Sequence, residues 1–159
     1  RSDLNTEAWK ALRIARTEVI RAHTAGAIGQ MRQTPDITPS YEWSCRSATA
    51  CIACLANQGR VFPISSVPAR HPNCRCVMLP VVIDPTTGKP LSQPIETGQD
   101  VIDRLSMDEA TQRFGQRRAE LLKAPGKARV PLADMQVLRP SETWGDSVGI
   151  TPLRDLVSA

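Results

Sequence analysis

The stretch CIACLANQGRVFPISSVPARHPNCRC, residues 51–76, holds four of the chain's five cysteines and one of its two histidines. It contains two short-range pairs, Cys51-x-x-Cys54 and Cys74-x-Cys76, separated by nineteen residues, with His71 three positions ahead of Cys74. Zinc takes four thiolate or imidazole ligands in a tetrahedron, and two knuckles joined by one hairpin supply them at a modest cost in loop closure. Five candidates, Cys51, Cys54, His71, Cys74 and Cys76, compete for four places. On a strand Cys74 and Cys76 point to the same side, so both can ligate; alternatively His71 and Cys74 form a knuckle with the same gap as Cys51 and Cys54. A filled set of this kind is a closed, structural Zn2+ site, because catalytic zinc keeps one position for water or substrate. Cys45 fits neither pair and reads as a free core or surface thiol.

Other readings of the cluster are disulfides, or thiols buried as small apolar side chains. An odd cysteine count and the absence of a secretion signal weigh against disulfides. A Cys74–His71 nucleophile and base lacks any visible orienting residue or oxyanion motif. There is no HExxH, no GxSxG and no Gly-rich phosphate loop, so no catalytic residue is assigned and the chain does not read as an enzyme. The enzyme alternative that survives is a zinc-assisted nuclease, with His71 as base and four cysteines as ligands.

Upstream of the cluster, Asn5–Gln33 carries Leu12, Ala15, Val19, Ala22, Gly26 and Gly29 at spacings of three and four, the repeat of one helical face. A long helix is expected, with its glycines letting another backbone approach and His23 on its surface. Pro35 and Pro39 end it, and Tyr41-Glu42-Trp43 alternates as a half-buried strand. Gly59 serves a turn into a second short strand, and CRCVMLPVVI supplies a third, giving a small antiparallel sheet. Residues 85–99 hold prolines and glycines without periodicity and read as a linker. Beyond it, Ser106-x-x-Glu109 has the spacing of a capping box, so a helix is expected to start there and run to Pro125-Gly126. Thr151-Pro152 is expected to open a last short helix.

The 159 residues are 41% hydrophobic and 23% charged, with thirteen prolines and only six aromatics, a balance that favours one principal core and much irregular chain. The formal net charge of +4 lies in residues 1–85, which hold ten basic and six acidic side chains, nine of the ten being arginine. Arginine-rich surface permits contact with phosphate or with an acidic partner. The longest apolar run, CVMLPVVI at 76–83, is far short of a bilayer span. The chain reads as soluble and intracellular, and its start at Arg1 suggests a piece of a longer protein.

RIARTEVIRA at 13–22, the strand tryptophan Trp43, CIACLANQGRVFP at 51–63 and PARHPNCRCVMLPV at 68–81 together resemble the phage Mu F-like, or minor head protein, domain of tailed bacteriophages and prophages. The resemblance covers about residues 10–83. The segment from Phe114 onward is similar to the short-helix region that often follows that domain. What the resemblance implies is a structural head-morphogenesis protein, held in the virion near the portal after assembly in the host cytoplasm. Its implied partners are the portal protein and the major capsid protein, with weak contact to packaged DNA and none to a membrane. The expected architecture is α+β: a long N-terminal helix and a small antiparallel sheet pinned by a Cys/His zinc knuckle over residues 1–84, the linker at 85–99, and a mainly helical, irregular arm over 100–159.

Overall fold

The computed structural model describes residues 2–45, 50–142 and 145–156, and it is an α+β protein. Helix α1 runs over Ser2–Met31. It leads through turns at Thr34–Thr38 into strand β1, Ser40–Ser44. A one-turn helix α2, Ile52–Leu55, starts immediately after Cys51. Strands β2, Val61–Pro63, and β3, Val77–Val81, both pair antiparallel with β1, so the sheet order is β2-β1-β3. The register sets Tyr41 opposite Phe62 and Pro80, and Trp43 opposite Met78.

Being central, β1 is covered on both faces rather than half-buried as its alternation suggested. Tyr41 and Trp43 face the cysteines and α1, with Tyr41 stacked on Phe62 at 5.8 Å between ring centroids. On the other face the Glu42 carboxylate is buried and accepts the backbone N–H of Ile95 at 3.0 Å. Gly59 turns the chain between α2 and β2 with φ +73°, where a side chain would press on the backbone of Glu96 and Thr97.

The buried face of α1 differs from the expected one. Thr24, Ile28 and Met31 pack inward, while Leu12 and Val19 are exposed and nothing lies near Gly26 or Gly29. The helix repeat is present twice on α1, and the sheet takes the stripe that carries Ile and Met rather than the one that thins to glycine. His23 is exposed, as expected.

Residues 85–99 form no ladder strand, but they are tied to the sheet. Ile83 and Pro90 make an isolated antiparallel bridge, Gln58 Nε2 donates to the Glu96 carbonyl, and the Gly98 N–H donates to the Gln58 carbonyl. Helix α3, Gly98–Arg104, opens on a Thr97/Asp100 capping box, and α4, Met107–Phe114, opens on the Ser106/Glu109 box read from the sequence. The single helix expected to follow is two: Gly115, at φ +83°, breaks it before α5, Gln116–Lys123. An antiparallel ribbon that the sequence reading missed, β4 at Gln136–Arg139 and β5 at Ser147–Ile150, precedes α6, Leu153–Leu156.

Two apolar clusters result. One joins Ile28, Met31, Tyr41, Trp43 and Met78 to four cysteines; the other sets Ile52, Leu55 and Ala56 against Ile102, Leu122, Leu132, Met135 and Leu156. Ala50 packs on both. The two faces of the short α2 are thus what join the C-terminal segment to the sheet.

Candidate metal centre

The site is assembled from three places in the chain. Cys51 and Cys54 flank the first turn of α2, whose hydrogen bonds from Cys54 N and Leu55 N to Cys51 O fix their separation. His71 and Cys74 sit on a tight loop closed by Cys74 N to His71 O at 3.2 Å. That loop turns through Asn73 in the left-handed region, φ 63°, and is anchored to α1 by Asn73 N donating to Thr17 Oγ1 at 2.9 Å. Cys76 follows on the same stretch, just ahead of β3. The third place is the end of β1, which brings in Cys45.

Four of the expected ligands cluster directly. His71 Nε2 lies 2.9 Å from Cys54 Sγ and 3.2 Å from Cys51 Sγ, and Cys54 Sγ lies 3.8 Å from Cys74 Sγ. His71 Nδ1 is 2.8 Å from the Pro72 carbonyl, a contact that orients the ring with Nε2 toward the cysteines. Cys76, the fifth candidate, lies on the other side of Cys54, where it forms a second close group with Cys45 and Cys54.

Cys45 is a free thiol in the buried core, and it lies against the pairs rather than apart from them: its Sγ stands 3.1 Å from Cys76 Sγ and 3.1 Å from the Cys54 carbonyl. The signal was present in the sequence as Tyr41-x-Trp43-x-Cys45, since alternate strand residues share a face. One step beyond the Ser44–Val77 pair, the antiparallel register puts Cys45 opposite Cys76.

The electrostatics follow from this crowding. Contact with Cys54 draws the Cys51 thiol down to about 4, and His71 adds its attraction. Contact with Cys54 likewise draws Cys45 down to about 4. Contact with Cys51 pushes His71 up to about 11. Cys54, hemmed in by Cys45, Cys51, Cys74 and Cys76, is pushed upward and holds its proton among its neighbours. Thiols that ionise this readily are suited to a cation that replaces the protons. The groups Cys51–Cys54–His71 and Cys45–Cys54–Cys76 each gather their ligand atoms within 4.8 Å of one another and can hold a metal ion.

Fold and site together define an α+β protein with a buried Cys/His cluster of metal-binding geometry. Set against known proteins, the chain matches no family model, no curated protein and no solved structure. No helix among the described residues is long and apolar enough to cross a membrane.

Proposed function

We propose that this chain is a structural minor head protein of a tailed bacteriophage, acting in head morphogenesis at the portal or on the inner capsid surface, with zinc in its Cys/His cluster. The observation that carries the reading is the exposed apolar surface of α1. There Trp9, Leu12, Ile14 and Val19 are all exposed on a helix that holds its own regular structure beyond the sheet. Exposed apolar surface of this extent on one element is characteristic of a chain that docks on a larger assembly. It complements the motif order on which the resemblance to Mu F-like minor head proteins rests. Zinc is the metal that suits thiolates and one imidazole, and a closed set of such ligands pins a fold rather than turning over a substrate.

The test is the composition of DNA-free procapsids from the phage or induced prophage that encodes the chain, measured by quantitative mass spectrometry. A fixed ratio to the portal protein, with the chain resident in the procapsid, is the expected result. A chain absent from procapsids and free in the lysate would overturn the reading.

A second reading, a zinc-containing nucleic-acid-binding or nuclease module, is favoured by one specific feature. Arg21, Arg32 and Arg70 line a recess of about 340 Å3. The Arg70 guanidinium there stacks on Trp43 and leaves its buried Nε and Nη2 without a hydrogen-bond acceptor among the described residues. Guanidinium groups gathered around one recess are suited to a phosphate. This reading predicts DNA affinity that falls steeply with salt and is lost when Arg13, Arg16, Arg21 and Arg32 are neutralised together.

A further inference from the structure

We propose that the cluster is built for two metal ions rather than one, with Cys54 as the thiolate they share, one ion held with Cys51 and His71 and the other with Cys45 and Cys76. The inference rests on the metal-binding reading given above and extends it to stoichiometry and to Cys45, which no knuckle motif includes.

Cys54 belongs to both close groups, so an ion in either one uses the same sulfur. Six donors converge, two more than a single tetrahedral ion accepts. Thiolate sulfur, with several lone pairs, bridges readily, and Cys54 is the sulfur placed to do so. Cys74 Sγ stands beside Cys54 Sγ but joins neither close group, so it serves as a fourth ligand to the Cys51–Cys54–His71 ion rather than as a bridge. Two sulfurs on a common tetrahedral zinc, each at about 2.3 Å, stand about 3.8 Å apart. Cys54 Sγ and Cys74 Sγ stand 3.8 Å apart.

Charge supports the second ion. One Zn2+ with thiolates of Cys51, Cys54 and Cys74 and neutral His71 carries a net charge of −1. Adding a second Zn2+ and ionising Cys45 and Cys76 releases two protons and leaves that charge unchanged, so the second ion adds no uncompensated charge to the interior. The remaining −1 has counter-charge nearby. Arg113 reaches in to donate to the Ala50 carbonyl, close enough to Cys45 and Cys51 to feel both, and its buried Nε has no other acceptor among the described residues. Arg70 donates to the Cys76 carbonyl.

The rival for Cys45 and Cys76 is a cross-strand disulfide, which their register would permit. Native mass spectrometry of the full chain, purified with zinc under reducing conditions, separates these outcomes. The expected result is two zinc ions per chain, falling to one in Cys45→Ser and in Cys76→Ser. One zinc in the unaltered chain, with Cys45→Ser unchanged, would overturn the two-ion cluster while leaving the single-site reading intact; no zinc at all would overturn both. Exchange of zinc for cadmium-113 gives a check that needs no variant: two cadmium resonances support the cluster, and a single one refutes it. Three free thiols instead of five in the denatured chain prepared without reductant, with Cys45 and Cys76 cross-linked in its peptide digest, would assign the pair to a disulfide and overturn the proposal.

Discussion

Gly98 packs its Cα against the backbone carbonyl of Leu55 so closely that a side-chain carbon at this position would overlap that oxygen and crowd Leu132. The contact fastens the start of α3 to α2, and through it the C-terminal segment to the sheet. Gly98→Ala must push backbone away from backbone, which costs about 2–3 kcal/mol by the usual penalty for overfilling a packed site. Gly26→Ala is the control, because nothing lies within 4 Å of its Cβ position on α1. There the change adds helix propensity and raises stability by up to about 1 kcal/mol. Urea unfolding of the two variants should move the midpoint in opposite directions, and equal shifts would contradict this account of the joint.

Glu42 is the only acidic side chain among the buried polar residues of the described core, and it serves the backbone of the segment that follows the sheet. Removing the carboxylate leaves the Ile95 N–H without its acceptor in a part-buried site. Glu42→Ala is therefore expected to cost about 1–3 kcal/mol, while Glu42→Gln, which keeps an acceptor oxygen, costs less. Thermal unfolding of both variants checks the order. A Gln variant as unstable as the Ala variant would show that the charge, rather than the hydrogen bond, matters.

How much of this was legible beforehand varied with how local the determining physics is. The Cys51/Cys54 and His71/Cys74 spacings, the Gly59 turn and the Ser106/Glu109 cap are each fixed within a few residues, and the fold contains them all. The Thr97/Asp100 cap has the same spacing but lay inside a stretch read as linker for its prolines, so its signal was overridden by composition. The β4–β5 ribbon carries little burial on β4, where Val137 to Arg139 are exposed, and so offers no apolar alternation to read. The Tyr41-x-Trp43-x-Cys45 spacing sets the face of Cys45, but its place beside Cys76 depends on the pairing of β1 with β3, thirty-one residues away, and no local spacing encodes a register. The choice of buried stripe on α1 was likewise settled by what the sheet offered it.

The two capping boxes make stability sensitive to acid. Asp100 is held below its ordinary value first by the Thr97 hydroxyl and then by the Thr97 N–H, and Glu109 first by the Ser106 N–H. Both carboxyls bind protons more weakly folded than unfolded. Their contribution is present above their unfolded values and is lost as pH falls through the lower folded ones. The loss is thus expected below about pH 4.5, near the ordinary carboxylate range. An Asp100→Asn/Glu109→Gln double variant should show a shallower decline of unfolding free energy between about pH 4.5 and 3 than the unaltered chain. Parallel curves for the two proteins would separate the caps from the acid response.

Cys54 is the thiol on which the cluster converges, and Cys74 and Cys76 are packed into the same apolar core as Trp43 and Met78. Metal bound here connects α2, the loop at His71 and the sheet, so its binding free energy is folding free energy. Chelation of the metal is expected to lower the melting temperature, and restoring zinc should return it. Cys54→Ser should lose several kcal/mol of stability, on the scale of a structural zinc ligand, and should no longer respond to the chelator. Because each bound thiol must give up its proton, affinity for the metal weakens as the solution is made more acidic, which titration with a zinc indicator at several pH values measures directly. A melting curve indifferent to chelator, in a chain that co-purifies with no metal, would reduce the cluster to buried thiols packed under Trp43.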